Sequence, residues 1–201
     1  MQAGQFMCVE LPHLNPDSKG IKRWFTNTAA PYENIMQITT RITASSFKQE
    51  LMRLEAGSDS LIAIEKPSGD FIWQDSALPK LFIAGGIGIT PYFSILKQRL
   101  HDKLPIEVML IYSIRTKEAA FIGDFNEWQA AHPEFKVSYL IGERLDASKL
   151  NVLVPQINQS LVYITGPEPM VESLGDDFKL NGLNESQLKQ DFFPNYNYQN
   201  Y

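Results

Sequence analysis

The sequence of 201 residues contains a single cysteine, Cys8. One thiol cannot form an internal disulfide, an all-cysteine zinc site or a cysteine-ligated iron–sulfur cluster. The three histidines, His13, His101 and His132, lie far apart without ligand spacing, so we expect no metal site. Any redox chemistry must therefore come from a bound organic cofactor.

The sequence also lacks an excess of positive charge, with 18 lysine and arginine residues against 23 aspartate and glutamate residues. We therefore expect no nucleic-acid partner, since binding through phosphates requires a basic surplus. Long apolar runs are missing too, because the longest, Val108 to Tyr112, is far too short for a transmembrane helix. The N-terminus lacks a signal-peptide pattern, and we expect a cytoplasmic protein.

The N-terminal third carries short apolar runs that alternate with turn-forming stretches, which predicts a small antiparallel sheet or barrel. The runs are FMCVEL, RWFT, IMQITTRI, LIAIE and FIW. One helix interrupts them, because Phe47, Leu51 and Leu54 recur at helical spacing until Gly57, where a C-terminal cap is expected.

From Lys80 onward buried strands alternate with helices, which is typical of a parallel sheet covered on both faces. The strand segments are LFIAGG, IEVMLIYS, KVSYLIG and LVYIT. Helices are expected from about Pro91, near Phe125 to Ala131, and from about Glu168 to Leu180. We therefore expect two domains, residues 1–76 and 77–201.

The sharpest local signal is LFIAGGIGITP, which runs from Leu81 to Pro91. Its glycines allow the backbone to approach a pyrophosphate, and the N–H groups of the following helix favour an anion. The string differs from the dehydrogenase fingerprint, because Pro91 stands where its last glycine would be. A tight turn without ligand is the alternative, but the whole string favours nucleotide binding.

Ser113 and Arg115 follow the second parallel strand, where such sheets contact the adenosine ribose of a nicotinamide nucleotide. These side chains suit a 2′-phosphate, and a solvated arginine is the alternative. The cofactor is therefore written NAD(P)H.

Several motifs together resemble the ferredoxin-NADP⁺ reductase superfamily. They are, in chain order, RWFT, SSFKQELMRLEAG, KPSGDF, GGIGITP, TGPEPM and DFFPNY. The similarity extends from Gly4 to Tyr196. It implies an antiparallel flavin-binding β-barrel followed by an α/β domain with a five-stranded parallel sheet. Family members have two or three strands before the segment that matches Gly4 to Phe6, so we expect an N-terminally incomplete barrel, from a truncated reading frame or with strands from another chain.

On the flavin side, the resemblance implies that Arg23 contacts the FAD pyrophosphate and that Phe25, in place of the usual tyrosine, packs beside the isoalloxazine. Thr26 would lie near flavin N5. Ser45 and Ser46 would bind the phosphates, and a simple helix cap is the alternative for both serines.

On the nicotinamide side, the resemblance implies two groups of cofactor-binding residues. The first is the glycine loop with its threonine, and the second places a small residue beside the nicotinamide before a helix. They are Gly85, Gly86, Gly88, Thr90, Thr165, Gly166 and Pro167. The family's usual cysteine is Thr165 here, and hydride transfer needs no thiol.

The C-terminal motif resembles an ending whose aromatic residue covers the flavin. Phe193 would be this lid, and Asp191 a proton or hydrogen-bond partner near the flavin. The alternative is a C-terminal strand that buries Phe192 or Phe193. Thr26, Asp191 and Phe193 are thus the catalytic candidates.

The expected reaction is hydride transfer from nicotinamide C4 to flavin N5, with electrons passing to an acceptor such as ferredoxin, flavodoxin, a haem protein, a quinone, a ferric chelate or oxygen. One alternative is a non-catalytic electron-transfer or regulatory subunit that binds nucleotide and holds flavin weakly. A hydrolase or transferase is disfavoured, because Ser113 and Ser160 lack recognisable histidine and acid companions.

Overall fold

The computed structural model describes residues 1–55, 59–60, 62–63, 65–143 and 145–193. The expected helix cap at Gly57 lies outside these residues, as do Pro194 to Tyr201. The side chain of Phe193 is also outside the described part of the chain.

The N-terminal lobe is built on a three-stranded antiparallel sheet. Its strands are β1 (Phe6–Glu10), β2 (Lys22–Thr26) and β3 (Ile62–Ala63), in the order β2-β1-β3. A short helix, α1 (Ser46–Leu51), packs on the sheet through the buried ring of Phe47. The predicted antiparallel lobe and its helix are therefore present.

Two apolar runs predicted as strands, residues 35–42 and 71–73, form no strand, so this part of the prediction was wrong. The hydrogen bonds of Asn27 partly explain why residues 35–42 form no strand. Its side chain donates to the carbonyl of Ile35 at 3.3 Å and accepts from the Gln37 N–H at 2.8 Å. Side-chain and loop hydrogen bonds replace a strand partner there. In the second run, Phe71 instead anchors the chain in the core of the C-terminal lobe.

The C-terminal lobe contains a sheet of five strands, and every neighbouring pair is parallel, which confirms the predicted fold class. The strands are β4 (Lys80–Gly85), β5 (Val108–Ile114), β6 (Phe135–Ile141), β7 (Leu161–Pro167) and β8 (Leu188–Phe193). Their order is β6-β5-β4-β7-β8. The chain leaves β4 toward one side and returns on the other, so a crevice forms beyond the carboxyl ends of the central strands.

Four helices cover the sheet. They are α2 (Thr90–His101), α3 (Ile122–Ala131), α4 (Ala147–Leu153) and α5 (Glu168–Leu180). The sequence predicted α2, α3 and α5, whereas α4 was missed. Buried residues of α2 and α3 pack on one face of the sheet, and those of α4 and α5 pack on the other. The alternating side chains of β4 contribute to both cores, as expected for a fully covered central strand.

The two lobes are joined by buried contacts. The Tyr163 hydroxyl on β7 accepts from the Gln74 N–H at 2.9 Å and donates to the Ile72 carbonyl at 3.1 Å. On α2, the Ser94 hydroxyl donates to the carbonyl of Ala29 at 2.9 Å. The division at residues 76 and 77 stays a prediction. Within the described residues, no helix has the length and apolarity needed to cross a membrane.

Candidate active site

A cavity of about 840 Å³ opens at the carboxyl ends of β4, β5 and β7. One wall comes from the N-terminal lobe, residues 39–41, and the opposite wall from the loops that follow the three strands. Among the predicted residues, those that line it are Gly85, Gly86, Ser113, Arg115 and Pro167. The cavity therefore joins both lobes at the position where α/β sheets bind their ligands.

The glycine loop is shaped by close backbone packing. A Cβ atom at Gly88 would lie 2.7 Å from the carbonyl oxygen of Thr165, and one at Gly85 would lie 2.9 Å from Cδ of the Pro167 ring. Gly86 has φ +49° and lines the cavity. Packing alone therefore requires glycine at positions 85 and 88. Cofactor contact stays a prediction for all three, and Gly86 has the position that suits it best.

The hydroxyl of Thr90 is used inside the loop. Thr90 is buried, and its Oγ1 donates to the carbonyl of Ile87 at 3.2 Å. Pro91 follows in the first turn of α2, where its missing N–H leaves no hydrogen bond unmade. Thr90 thus holds the loop in shape, and a direct contact with the cofactor stays a prediction.

Ser113 and Arg115 lie side by side along the cavity wall, at the end of β5. Two carboxylates, Glu118 and Glu143, line the same cavity and were not foreseen from the sequence. An acidic side chain suits a free ribose 2′-hydroxyl, whereas an arginine suits a 2′-phosphate. The lining therefore holds donors and acceptors for either nucleotide.

The end of β7 carries an unsatisfied polar atom. Thr165 is fully buried, and its Oγ1 has no hydrogen-bond partner in the described part of the chain. Gly166 follows, with its N–H beside Gly88, and Pro167 leads into α5. A buried hydroxyl without a partner costs about 1–3 kcal/mol, so a ligand that supplies a partner gains by binding there.

Arg23 does not line the cavity, and its donors are directed into the protein. Its Nη1 donates to the carbonyls of Lys19, Gly20 and Lys22 at 2.8, 2.8 and 2.7 Å. Its Nη2 donates to Asp17 Oδ1 at 2.8 Å. The guanidinium also lies over the Phe47 ring, 5.2 Å from its centroid.

The two candidate phosphate-binding serines belong to the same cluster. Ser45 Oγ accepts from Arg23 Nη2 at 3.4 Å, and the Ser46 N–H donates to Asp17 Oδ2 at 3.0 Å. Ser46 Oγ accepts from the Asp17 N–H at 2.9 Å and lies 2.9 Å from His13 Nε2. The structure therefore brings together the three residues predicted to hold the flavin phosphates, Arg23, Ser45 and Ser46, around one internal carboxylate.

The carboxylate of Asp17 is strongly stabilised in its charged form. Burial alone would raise its pKa, but hydrogen bonds from the Lys19 and Ser46 N–H groups and the charge of Arg23 outweigh burial. Together they lower the pKa to about 2. Asp17 therefore remains an anion throughout the pH range in which the protein can be studied.

Phe25 and Thr26 end β2 with their side chains in different surroundings. The Phe25 ring packs in the lobe core against Phe47, with centroids 5.8 Å apart. Thr26 is buried, and its Oγ1 has no hydrogen-bond partner among the described residues. The expected contact of Phe25 with a flavin ring therefore competes with a core position, and the Thr26 hydroxyl is buried away from the cavity, so its contact with flavin stays a prediction.

Asp191 lies on β8 in register with Thr165 of β7. Burial raises the pKa of Asp191 to about 6, and the neighbouring charge of Asp70 acts in the same direction. Phe193 ends the strand in register with Pro167. Phe192 is 39% exposed, so the alternative that the strand buries this ring is wrong. The lid role of Phe193 stays a prediction.

The Asp191 carboxyl should make stability depend on pH. Its pKa is higher in the folded chain than its ordinary value of 3.8, so the carboxyl takes up a proton when the chain folds between these pH values. The contribution of Asp191 to the free energy of unfolding therefore falls as pH rises from about 4 to about 6. Asp191→Asn should therefore be more stable than the wild type at pH 7, with the difference shrinking toward pH 4.5. Melting temperatures of both proteins across this range test it, and a constant difference would contradict the shift.

Besides Glu118 and Glu143, sequence patterns missed four residues that shape the site. Asp17 and His13 stand in LPHLNPDSKG, which reads as an ordinary turn. Lys48 is 3% exposed on α1, and burial, followed by the charges of Lys19, Arg23 and Arg41, lowers its pKa to about 8. Arg41 also lines the cavity. The signal available in the sequence was that positions 41 and 48 carry basic residues, one shortly before α1 and the other within it.

Comparisons with known proteins agree with this architecture. Residues 82–175 match the family model of the oxidoreductase NAD-binding domain. The chain is 28% identical over 179 residues to the ferredoxin reductase component of 3-ketosteroid-9-alpha-monooxygenase from Mycobacterium tuberculosis, covering 86% of this chain and 49% of that protein. It is 24% identical over 203 residues to a flavohemoprotein from Burkholderia sp., covering 94% of this chain and 50% of that protein.

The chain thus spans about half the length of these curated relatives. Its structure is similar to a ferredoxin NADP⁺ reductase from Neisseria gonorrhoeae with bound FAD and NADP, with a TM-score of 0.75 and 19% identity. This similarity covers 96% of this chain and 87% of that one, and at this level of identity it shows the fold.

Proposed function

We propose that this chain is an FAD/NAD(P)-binding oxidoreductase of the ferredoxin-NADP⁺ reductase-like superfamily, which transfers hydride from NAD(P)H to FAD and passes electrons to an acceptor; the similarities of its sequence and fold support this proposal. The observation that carries this proposal is the cavity shared by the two lobes, which meets the nucleotide-binding edge of the parallel sheet. The cofactors supply the hydride and electron chemistry when bound, and the chain supplies binding and orientation.

The nucleotide side of the cavity fits NAD(P)H. Gly86 brings the backbone to the cavity wall without a side chain, and Ser113 and Arg115 lie at the end of the next strand, β5, in positions that suit the adenosine ribose and its phosphate. The Thr165 hydroxyl is buried without a partner in the described chain and does not line the cavity, so it would pair with a nicotinamide amide group after a small movement at the end of β7. These residues would hold the nucleotide with its reactive ring toward the N-terminal lobe.

On the flavin side, the wall that would face the flavin ring fits this cofactor, whereas the end that would hold its phosphates must rearrange. Thr26 offers a buried hydroxyl without a partner among the described residues, which suits a ring nitrogen or carbonyl. Residues 39–41 supply backbone and side-chain atoms along the facing wall. The phosphate end differs, because Asp17 occupies the donors of Arg23 and Ser46. We propose that residues 39–41 can contact the ring as they stand, whereas the Thr26 contact requires its hydroxyl to become accessible and the phosphate contacts require Asp17 to move.

The role of the chain is then to align two rings and exclude water between them. Effective transfer needs the reacting atoms about 3–3.5 Å apart, and a cavity wall fixed on both sides provides such alignment. The Tyr163 hydrogen bonds to the segment 72–74 and the Ser94 bond to Ala29 link the two lobes that supply these walls. Asp191, with its raised pKa, is placed beside Thr165 and would hold a proton near this junction below about pH 6.

The alternative function, a nucleotide-binding subunit that holds flavin weakly and is not catalytic, is favoured by the same Asp17 contacts. Purified protein separates the two. The proposed oxidoreductase should acquire a flavin spectrum on incubation with FAD and should reduce ferricyanide with NADPH or NADH. A protein that stays colourless after incubation, with nucleotide still bound, would support the alternative.

The acceptor of the electrons is part of the proposal. The similar proteins include a ferredoxin reductase component of a monooxygenase and a flavohemoprotein, so a ferredoxin, a haem centre or an oxygenase component suits this chain best. Flavodoxin, quinones, ferric chelates and oxygen are the other acceptors expected from the sequence. A cytoplasmic location also stays a prediction.

Arg115 should separate NADPH from NADH. If it contacts the 2′-phosphate, Arg115→Ala should raise the KM for NADPH by about tenfold, the value of one charge-assisted hydrogen bond, and leave the KM for NADH nearly unchanged. Lys117 is exposed, lies two residues further and does not line the cavity, so Lys117→Ala is the matched control. Equal effects of Arg115→Ala on both nucleotides would contradict a role in phosphate recognition.

A further inference from the structure

The carboxylate of Asp17 lies among donors that suit a phosphate group. Its Oδ1 accepts from Arg23 Nη2 at 2.8 Å and from the Lys19 N–H at 2.9 Å, and its Oδ2 accepts from the Ser46 N–H at 3.0 Å. Two backbone N–H groups and one guanidinium are the donor types that bind phosphate oxygens in proteins. Here, all three bind an anion that the chain itself supplies.

The same contacts leave Arg23 little capacity for a ligand. The two hydrogens of Nη1 already face three carbonyl oxygens, of Lys19, Gly20 and Lys22. Nη2 donates to Asp17 and to Ser45. A phosphate that took the place of Asp17 would gain the charged donor, but a phosphate placed beside Asp17 would meet a second negative charge at close range.

Several cations lie close to one another in this part of the lobe. Lys19, Arg23 and Arg41 all lie close enough to Lys48 to act on its ionisation. These three cations therefore lie within electrostatic reach of Lys48, which is almost completely buried, and Arg23 among them also pairs with Asp17. A diphosphate carries more charge than Asp17 and would be the better counterion for this cluster.

Asp17 lies in a position from which its side chain can move away from Arg23 and Ser46. It belongs to the loop between β1 and β2, and its side chain is 31% exposed. In the same loop, Leu14 is 91% exposed, and Gly20 has open space around its Cα. Leu11, at the start of this loop, belongs to the lobe core, whereas none of residues 12–20 is buried, so this part of the loop can move without unpacking the core.

We propose that Asp17 is an internal competitor for the flavin phosphates, which lowers the affinity of this chain for phosphorylated flavins and leaves little preference for FMN or FAD over riboflavin. The proposal rests on the proposed flavin function. Asp17 would thereby set how much flavin the chain retains, since Arg23 and Ser46 become available to a phosphate only after Asp17 has left them.

The test compares three flavins that share a ring and differ in phosphate. Riboflavin, FMN and FAD are titrated against the wild type, Asp17→Asn and Asp17→Ala, with dissociation constants from the quenching of flavin fluorescence. Removal of the competing charge should lower the dissociation constants of FMN and FAD by about tenfold or more, whereas that of riboflavin should change little. Glu10→Gln is the matched control, because Glu10 pairs with Lys22 at 3.6 Å on the same sheet and contacts neither Arg23 nor Ser46.

Several results would overturn the proposal. Weaker or unchanged FMN and FAD binding in the Asp17 variants would mean that Asp17 positions Arg23 for the phosphate, and equal changes for all three flavins would mean an effect on the ring site or on folding. If the alanine variant does not fold, Asp17→Asn keeps the shape and one oxygen acceptor. In the wild type alone, FMN binding about a hundredfold tighter than riboflavin binding would also overturn it.

Inorganic pyrophosphate separates this proposal from the flavin function. Calorimetric titration should show tighter pyrophosphate binding to Asp17→Asn than to the wild type, since the nucleotide site is the same in both proteins. If no flavin binds any variant, the flavin part of the proposed function is overturned, and the pyrophosphate difference alone supports or overturns the role of Asp17. Equal pyrophosphate affinities would overturn it.

Discussion

Gly88→Ala should destabilise the chain by about 1–3 kcal/mol and should weaken NAD(P)H binding with it. The added methyl group would lie 2.7 Å from the carbonyl oxygen of Thr165 and 2.8 Å from the backbone of Gly166. These are backbone atoms of β7, which pairs along its length with β4 and β8, so they cannot move aside like a flexible side chain. Thermal unfolding and nucleotide titration of one preparation measure both effects.

Gly123→Ala is the control for Gly88→Ala, because it adds the same methyl group at an exposed position of α3 with nothing within 4 Å. Alanine favours a helix over glycine by about 0.5–1 kcal/mol, so this variant should be as stable as the wild type or more so. A Gly88→Ala protein that has the melting temperature of the wild type and loses only nucleotide affinity would show that the bound pyrophosphate, and not β7, requires glycine at this position.

Phe47→Ala should have the larger effect on stability, about 3–5 kcal/mol, as expected for a fully buried ring. The ring contacts Phe25, lies under the guanidinium of Arg23 and meets His13 edge to face. Its loss should therefore loosen the whole cluster that surrounds Asp17. Calorimetric unfolding measures the stability, and flavin retention after gel filtration should fall in the same variant.

Two controls accompany Phe47→Ala. Phe47→Leu keeps most of the volume and should lose less stability than alanine. Phe192→Ala removes a ring that is 39% exposed, so its effect should stay within about 1 kcal/mol. If Phe47→Ala unfolds like the wild type, the contacts of Phe47 with Arg23 and Phe25 do not support the N-terminal lobe as the structure indicates.

The parallel sheet could be predicted from the sequence because its strands are buried on both faces and its helices follow at regular spacing. Leu81 to Ala84 form a continuous apolar run, and both faces of this run are in contact with helices. Such a pattern has few alternative structures. The N-terminal lobe was harder to predict, since its runs are short and the hydrogen bonds of residues 35–37 depend on a distant partner, Asn27.

Prediction of the candidate site from the sequence was limited in the same way. Local motifs located the glycine loop, Ser113 and Arg115, because these residues follow strands at the edge where such sheets bind ligands. The state of Arg23 could not be read from RWFT, because its carboxylate partner lies six residues earlier in a turn. Asp17 in turn bonds to Ser46, which is 29 residues away. A pairing between a loop and a distant helix leaves no periodic pattern in a sequence.

Single-turnover reduction of the flavin tests the central claim most directly. The FAD-loaded chain is mixed anaerobically with NADPH or NADH, with hydrogen or deuterium at nicotinamide C4, while the flavin absorbance is followed. The proposed hydride transfer predicts bleaching at a rate that saturates with nucleotide concentration and is slowed by deuterium. A flavin that stays oxidised while both cofactors are bound would contradict it.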